Sequence, residues 1–305
     1  MLRRAMWALV VVVCLAVCLA VPVAVHAQGD YLDVYIVKVK PEKLADFQAL
    51  TTKWIDANRR FNGDRWIAME TLYGDGNVFQ FTSTRQDYAE IDKENEAAMS
   101  AAIKAFGKEV ADKMERDFQN CLVWSRSELR RRRWDLSRKA PTDPTTYAKF
   151  IGESRVLRTT AVHVRPGRTA DFEALLKEAK DAGEKAANTQ PLMVSQVIEG
   201  GKGTTFYITS LRSSLSGFDN NPTIRDILGE EGYKKFLQVN AESVEQSESV
   251  LFRFSPELSN PPEAVATVAA DFWHPKAVMA AATSKPKAAA GKSVELKPTS
   301  EKPKQ

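Results

Sequence analysis

The sequence predicts an α+β protein built from two tandem βαββαβ units, and three observations carry that reading. Anchor segments recur in order: Val37-Lys38-Val39-Lys40-Pro41 matches Val162-His163-Val164-Arg165-Pro166, and Ala45-Asp46-Phe47 matches Ala170-Asp171-Phe172, both 125 residues apart. Further on, Phe79-Gln80-Phe81-Thr82-Ser83 matches Phe206-Tyr207-Ile208-Thr209-Ser210, and Leu136-Ser137 matches Leu258-Ser259, the offset drifting only between 122 and 127. Within each copy, strand-like and helix-like patterns alternate in the same sequence. Composition then changes at both ends of the duplicated stretch, which bounds the copies at 28–137 and 155–259.

The elements follow from the residues. Positions 31–40 alternate and are rich in β-branched side chains, so they read as a strand. Pro41 opens a helix where the first turn tolerates proline, and Leu44, Phe47, Leu50, Trp54 and Ile55 give that helix one apolar stripe. Residues 66–73 and 77–83 form a hairpin across Gly74-Asp75-Gly76, a helical region over 86–120 breaks near Gly107, and 121–133 closes the unit as a fourth strand. The second copy repeats this with a strand at 155–165, a helix at 169–187 and a hairpin of 192–199 with 204–211. A helical region broken at Asn221-Pro222 and Gly229 follows, then a strand at 249–254. The polar connector 138–154, with Pro141 and Pro144, reads as a linker.

The ends belong to other classes. Arg3 and Arg4, the apolar run 5–21 and Val25-His26-Ala27 form an export leader over 1–27, so a periplasmic or extracellular site is expected, with no stable membrane span once the leader is removed. Only Cys121 then remains of three cysteines, which excludes an intramolecular disulfide and reads as core. From 260 to 305 the chain is rich in Ala, Lys, Pro and Ser and reads as disordered, with Asp271-Phe272-Trp273-His274-Pro275 as a segment that could dock on the body. Between 28 and 259 there are 34 basic and 35 acidic side chains, and this near-neutral balance excludes a nucleic-acid partner.

The order βαββαβ is the ferredoxin-like arrangement, in which helices cover one sheet face and leave the other bare. A bare face carrying Ile36, Phe79 or Phe81 should not stay wet, so two such units bury these faces against each other. On that order and the duplication, residues 31–259 resemble the dimeric α+β barrel superfamily, here with both halves in one chain. That superfamily includes antibiotic-biosynthesis-type monooxygenases, haem-degrading enzymes, chlorite dismutase-like haem proteins and stress-responsive barrel domains. The resemblance implies ligands between sheet and helices or inside the barrel. It leaves self-association open, because the duplication either replaces a homodimer or builds a larger assembly.

Polar groups on strands are therefore the candidate ligand-binding residues. Lys38 and His163 are repeat equivalents, as are Lys40 and Arg165, and all four share the strand face of Ile36, suited to a carboxylate or phosphate if that face looks into a cavity. Arg130-Arg131-Arg132-Arg133 is the sharpest local anomaly: Arg130 and Arg132 point one way and their neighbours the other. Two readings compete there, an anion or partner site made of guanidinium forks and a strand running out into solvent among surface acids, and the second is favoured. Trp66 and Trp124, with Asn77 and Trp54, are the residues a cofactor-free monooxygenase pocket would use. No cofactor is expected: a lone strand histidine, His163, is a poor basis for haem, and no Cys/His cluster offers structural zinc. Gly-rich phosphate loops, G-x-S-x-G and H-E-x-x-H are all absent from the sequence.

The resulting expectation is an exported barrel that binds a small, anionic molecule without catalysis. A cofactor-independent oxygenase is the first alternative, requiring a deep pocket at Trp66 or Trp124 with a polar partner. An interaction module is the second, requiring a filled barrel and an exposed arginine patch.

Overall fold

The computed structural model describes residues 29–274 except Thr142, Asn188 and Asn220. The expected leader at 1–27 and the stretch from 275 onward lie outside the described residues. Strand β1 (Tyr31–Val39) leads through a short 3₁₀ turn at Pro41–Lys43 into helix α1 (Leu44–Arg60). Strands β2 (Ile67–Tyr73) and β3 (Val78–Arg85) follow, then α2 (Tyr88–Phe106), α3 (Lys108–Asn120) and β4 (Leu122–Arg132). After helix α4 (Pro144–Glu153) come β5 (Val156–Val164), α5 (Thr169–Lys185), β6 (Met193–Glu199), β7 (Thr204–Arg212), α6 (Ile224–Ser243) and β8 (Val244–Phe254). Two short helices end the described chain, α7 (Glu263–Ala266) and α8 (Ala270–Trp273).

The eight strands close into one barrel in the order β1-β3-β2-β8-β5-β7-β6-β4, with β4 returning to pair with β1. The neighbouring strands pair antiparallel, and the two seams that join early to late strands are β2 with β8 and β4 with β6. Closure matters physically because it leaves no strand edge with unpaired amide groups. Gly107 and Gly229 occupy equivalent places in the two helical regions, with φ of 83° and 70°, a left-handed geometry that breaks each region into two segments.

Side-chain alternation sorts the barrel into an outer and an inner layer. Phe79 and Phe81 lie on the outer layer, not on the bare face with Ile36: Phe47 of α1 packs on Phe79 and Phe118 with ring centres 5.1 and 5.2 Å apart, beside Phe81, Val37, Val39 and Cys121. Phe172, Leu175 and Leu176 of α5 do the same against Val162, Val194 and Phe206. Helices and sheet are thus joined by close-packed apolar layers. Cys121 is core, as its sequence context predicts, and burial raises its thiol pKa.

Three expectations are corrected here. The connector 138–154 is not merely a polar linker, since it contains α4. Asp143 caps that helix by accepting from the Thr146 amide at 2.9 Å, Pro144 occupies its first turn, and Ala148 and Ile151 are buried. The stretch 260–274 is ordered rather than disordered. Trp273 is fully buried, its indole nitrogen donates to the Gly152 carbonyl at 3.0 Å, and its ring lies 5.7 Å from Phe254. Strand β8 also begins five residues earlier than the apolar run at 249–254 suggests. Together α4, α7 and α8 pack on Met69, Leu157, Leu211 and Phe252, forming an apolar plug on one end of the barrel.

Candidate functional site

Because β1, β4, β5 and β7 turn their even or odd residues inward in register, the barrel interior can be read as rungs. Leu32 faces Arg130, Val34 faces Glu128, Ile36 faces Arg126 and Lys38 faces Trp124 across β1 and β4. Thr159, Ala161 and His163 lie opposite Thr209, Tyr207 and Thr205 across β5 and β7. The unplugged end of the barrel opens into a cavity of about 900 Å³. Its lining includes Trp124, Arg126, Glu128, Arg130, His163 and Tyr207. A second, smaller chamber of about 130 Å³ lies towards the plug, lined by Arg132, Tyr147 and Ile151 among others; Gln80, Arg130 and Thr159 line both spaces.

The charged centre is Glu128, whose side chain is only 3 % exposed. One carboxylate oxygen accepts from Arg130 Nε at 2.8 Å, with Arg130 Nη2 at 2.6 Å. The other accepts from the Tyr207 hydroxyl at 3.2 Å and lies 3.0 Å from Arg126 Nη2. The Arg130 guanidinium also lies over the Tyr207 ring, 3.5 Å from its centre. Burial pushes the Tyr207 phenol above its ordinary pKa; Arg130 opposes that shift and Glu128 adds to it. The Glu128 carboxylate is thus held by two guanidinium partners and a phenol donor. Arg126, about half exposed, is the cation it leaves facing the cavity.

His163 supplies a group of a different kind. Its Nδ1 lies 2.9 Å from Thr205 Oγ1, and that hydroxyl also donates to the Lys202 carbonyl at 3.2 Å. Either atom of the Thr205–His163 pair can donate, according to the imidazole tautomer, and Nε2 is the ring nitrogen not engaged by Thr205. Haem does not fit this setting. The residues flanking the ring on the neighbouring strands are Thr205 and Gln246, and Glu245 and Glu248 line the same cavity. The strand neighbours of the imidazole are thus polar, a poor match for the apolar faces of a porphyrin, while Val250 and Phe252 line the cavity further along β8. Among the described residues, no group of three His, Cys, Asp or Glu side chains could hold a metal ion, and no helix is long and apolar enough to cross a membrane.

The structure sorts the other sequence candidates. Trp124 lies on the cavity rim, 40 % exposed. Lys38 sits at the same end and pairs with Asp75 at 3.4 Å. Lys40 instead donates to the Asn120 carbonyl, and Arg165 is exposed beyond the end of β5. Trp66 turns outward to the layer under α1, with its indole nitrogen donating to the Leu258 carbonyl at 2.8 Å. The favoured reading of the arginine run is corrected for two of its four members. Arg130 and Arg132 are 3 and 6 % exposed and point into the barrel, not out to solvent. Arg131 is exposed, and Arg133 pairs with Asp135 and Glu173, as the solvent reading expects. The interaction module needed a filled barrel and an exposed arginine patch, and neither is found. Glu128, Arg126, Tyr207 and Thr205 were missed. The signal available was parity, since Trp124, Arg126, Glu128, Arg130 and Arg132 alternate along one strand face.

No family model matches the chain, and no curated protein does. Among solved structures, an anthrone oxidase-like protein is similar at 14% identity over 75% of this chain and 93% of its own, with a TM-score of 0.49. A variant chlorite dismutase from Candidatus Nitrospira defluvii is 9% identical over 80% of this chain and 97% of its own, with a TM-score of 0.45. A protein provisionally named a monooxygenase, from Lactobacillus acidophilus, is 10% identical over 73% and 93%, with a TM-score of 0.44. The closed eight-stranded barrel with helices on its outer face decides the fold. This is a closed α+β barrel. The resemblance seen in the sequence is thereby met at the level of the barrel. The expected non-catalytic role is corrected only this far: the proteins similar in fold carry the names of a monooxygenase, an oxidase-like protein and a chlorite dismutase.

Proposed function

We propose that this barrel protein is a cofactor-independent oxygenase acting on a small aromatic compound with an acidic C–H or phenolic O–H. The observation that carries the reading is the pairing, in one cavity, of His163 with the Glu128–Arg126–Arg130–Tyr207 cluster under the rim residue Trp124. His163 Nε2 acts as the base that takes the proton, and Thr205 holds the ring in the tautomer this requires. Arg126 stabilises the resulting enolate or phenolate, with Glu128 fixing the arginines and the phenol around it. Trp124 covers the aromatic body of the substrate. Electrons come from the substrate: a CH₂ group flanked by aryl rings becomes C=O, one oxygen atom of O₂ entering the product and the other leaving as water. No external reductant is needed for that balance.

The recurring anchor segments support a duplicated origin for the barrel, but the site residues are unequal between the halves. At an offset of 122, the inward β4 residues Trp124, Arg126, Glu128, Arg130 and Arg132 correspond to Gln246, Glu248, Val250, Phe252 and Phe254 of β8. In this reading both copies are ferredoxin-like, the first keeps the charged row, and the second contributes His163 and an apolar wall. The leader at 1–27 supports action outside the cytoplasm, and the cations Lys38, Arg126 and Arg130 at this cavity suit an anionic ligand.

The test is aerobic incubation of the 28–305 protein, stripped of metal, with anthrone, followed by oxygen uptake and product mass. Stoichiometric oxygen uptake with formation of the ketone is the expected result. His163→Gln should lower kcat by about 10²-fold, the usual scale for loss of a general base, with substrate affinity retained. Oxygen uptake equal to the protein-free rate across anthrone and phenolic analogues would sink the reading.

A further inference from the structure

Arg132 lies two residues beyond the catalytic row proposed above and faces the other space, the chamber of about 130 Å³ beneath the plug. It is 6 % exposed. Its Nε and Nη2 have no hydrogen-bond partner among the described residues, and no carboxylate there pairs with it. Its protein contacts are aromatic: the guanidinium lies 4.6 Å from the Tyr147 ring centre and 5.2 Å from that of Trp134. Burying a full charge without a counter-charge is costly, and two ring faces do not replace an anion. The remaining walls offer small hydroxyls, Thr82, Thr84, Ser195 and Thr209, with Met193 and Leu211. A planar anion that takes two N–H bonds from a guanidinium edge matches both the donor and the size, since a cavity of roughly 150 Å³ accommodates a benzene-sized guest.

We infer that Arg132 makes the inner chamber a binding site for a small carboxylate. The carboxylate has two sources. It is either a free small acid or the acid group of a larger aromatic molecule whose body passes Gln80, Arg130 and Thr159 into the outer cavity. The second source rests on the oxygenase reading; the first does not.

The test uses the 28–305 protein at constant ionic strength, with chloride as the reference salt and acetate and phenylacetate as probes. At about five times the half-saturating concentration, binding to the folded state should raise Tm by about 2–4 °C over chloride. Broadening of ¹³C-labelled acetate, reversed by nitrate, checks the same site without a variant. Arg132→Met, which removes the charge and keeps the side-chain volume, should abolish both signals. Equal affinity for the two probes assigns a free small acid, whereas at least tenfold tighter binding of phenylacetate assigns the carboxylate of a larger ligand. Neither outcome depends on oxygen turnover, so failure of the oxygenase assay leaves the site standing. Chloride-level Tm and unbroadened acetate in the native protein, or unchanged binding in Arg132→Met, would overturn it.

Discussion

At the residue scale, the organising fact is that Glu128 is the one buried counter-charge between Arg126 and Arg130. Removing one partner of a buried pair leaves the other desolvated and unmatched, which usually costs about 3–5 kcal/mol. Glu128→Gln keeps the shape and loses the charge, so it should lower unfolding stability by roughly that amount in a urea titration. Adding Arg130→Met should return part of the loss, because the stranded cation is then gone. A single-variant loss below about 1 kcal/mol would show that the pair is already solvated and that the cluster is not a fixed electrostatic element. Little of this was legible in the sequence. The parity of Arg130 and Arg132 was readable, but a run of four arginines ordinarily reads as solvent-facing. Only barrel closure, which turns an inward strand face away from bulk water, makes the opposite assignment.

At the element scale, the strands and outer helices were legible because each buries one apolar face against another element, and that burial writes a period of two or 3.6 into the sequence. The misses share a physical origin. Residues 244–248 pair with β5 yet face solvent on one side and the polar end of the cavity on the other, so they carry no apolar alternation to read. The α4 segment hid behind Pro141 and Pro144, although Asp143-Pro144 is a helix-start signal and Tyr147, Ala148, Phe150 and Ile151 follow it at helical spacing. Its partner was legible, since Phe272 and Trp273 stand out as large apolar side chains in an Ala-, Lys- and Pro-rich stretch and mark a segment that docks. Truncating such a fully buried aromatic costs about 3–5 kcal/mol through lost transfer energy and the cavity left behind. Trp273→Ala should therefore destabilise the protein by that amount, while Phe272→Ala, at a partly exposed neighbouring position, should cost clearly less. Equal and small losses for the two, read from urea midpoints, would mean the plug contributes little to the fold.

At the scale of the whole molecule, the barrel makes one cooperative object of two similar sheets. The first half has β4 and β2 at its margins and the second has β6 and β8, and the β2–β8 and β4–β6 pairings satisfy all four. Separated halves would expose those strand margins together with the inner faces, including Val34 and Ile36 on one side and Phe252 and Phe254 on the other. Unpaired edges beside an uncovered apolar face are templates for association. Residues 28–141 and 143–274, expressed separately, should therefore fail to give soluble monomers, and should yield a one-to-one complex of native size when coexpressed. The intact chain should unfold in a single transition, with fluorescence and far-ultraviolet circular dichroism coinciding. Light scattering after size exclusion reads the first prediction directly. A monodisperse monomer of residues 28–141 with native-like circular dichroism would show that a half-barrel covers its own inner face. The charged row of β4 would then be a property of one sheet, and the cavity between the halves would lose its claim to be the site.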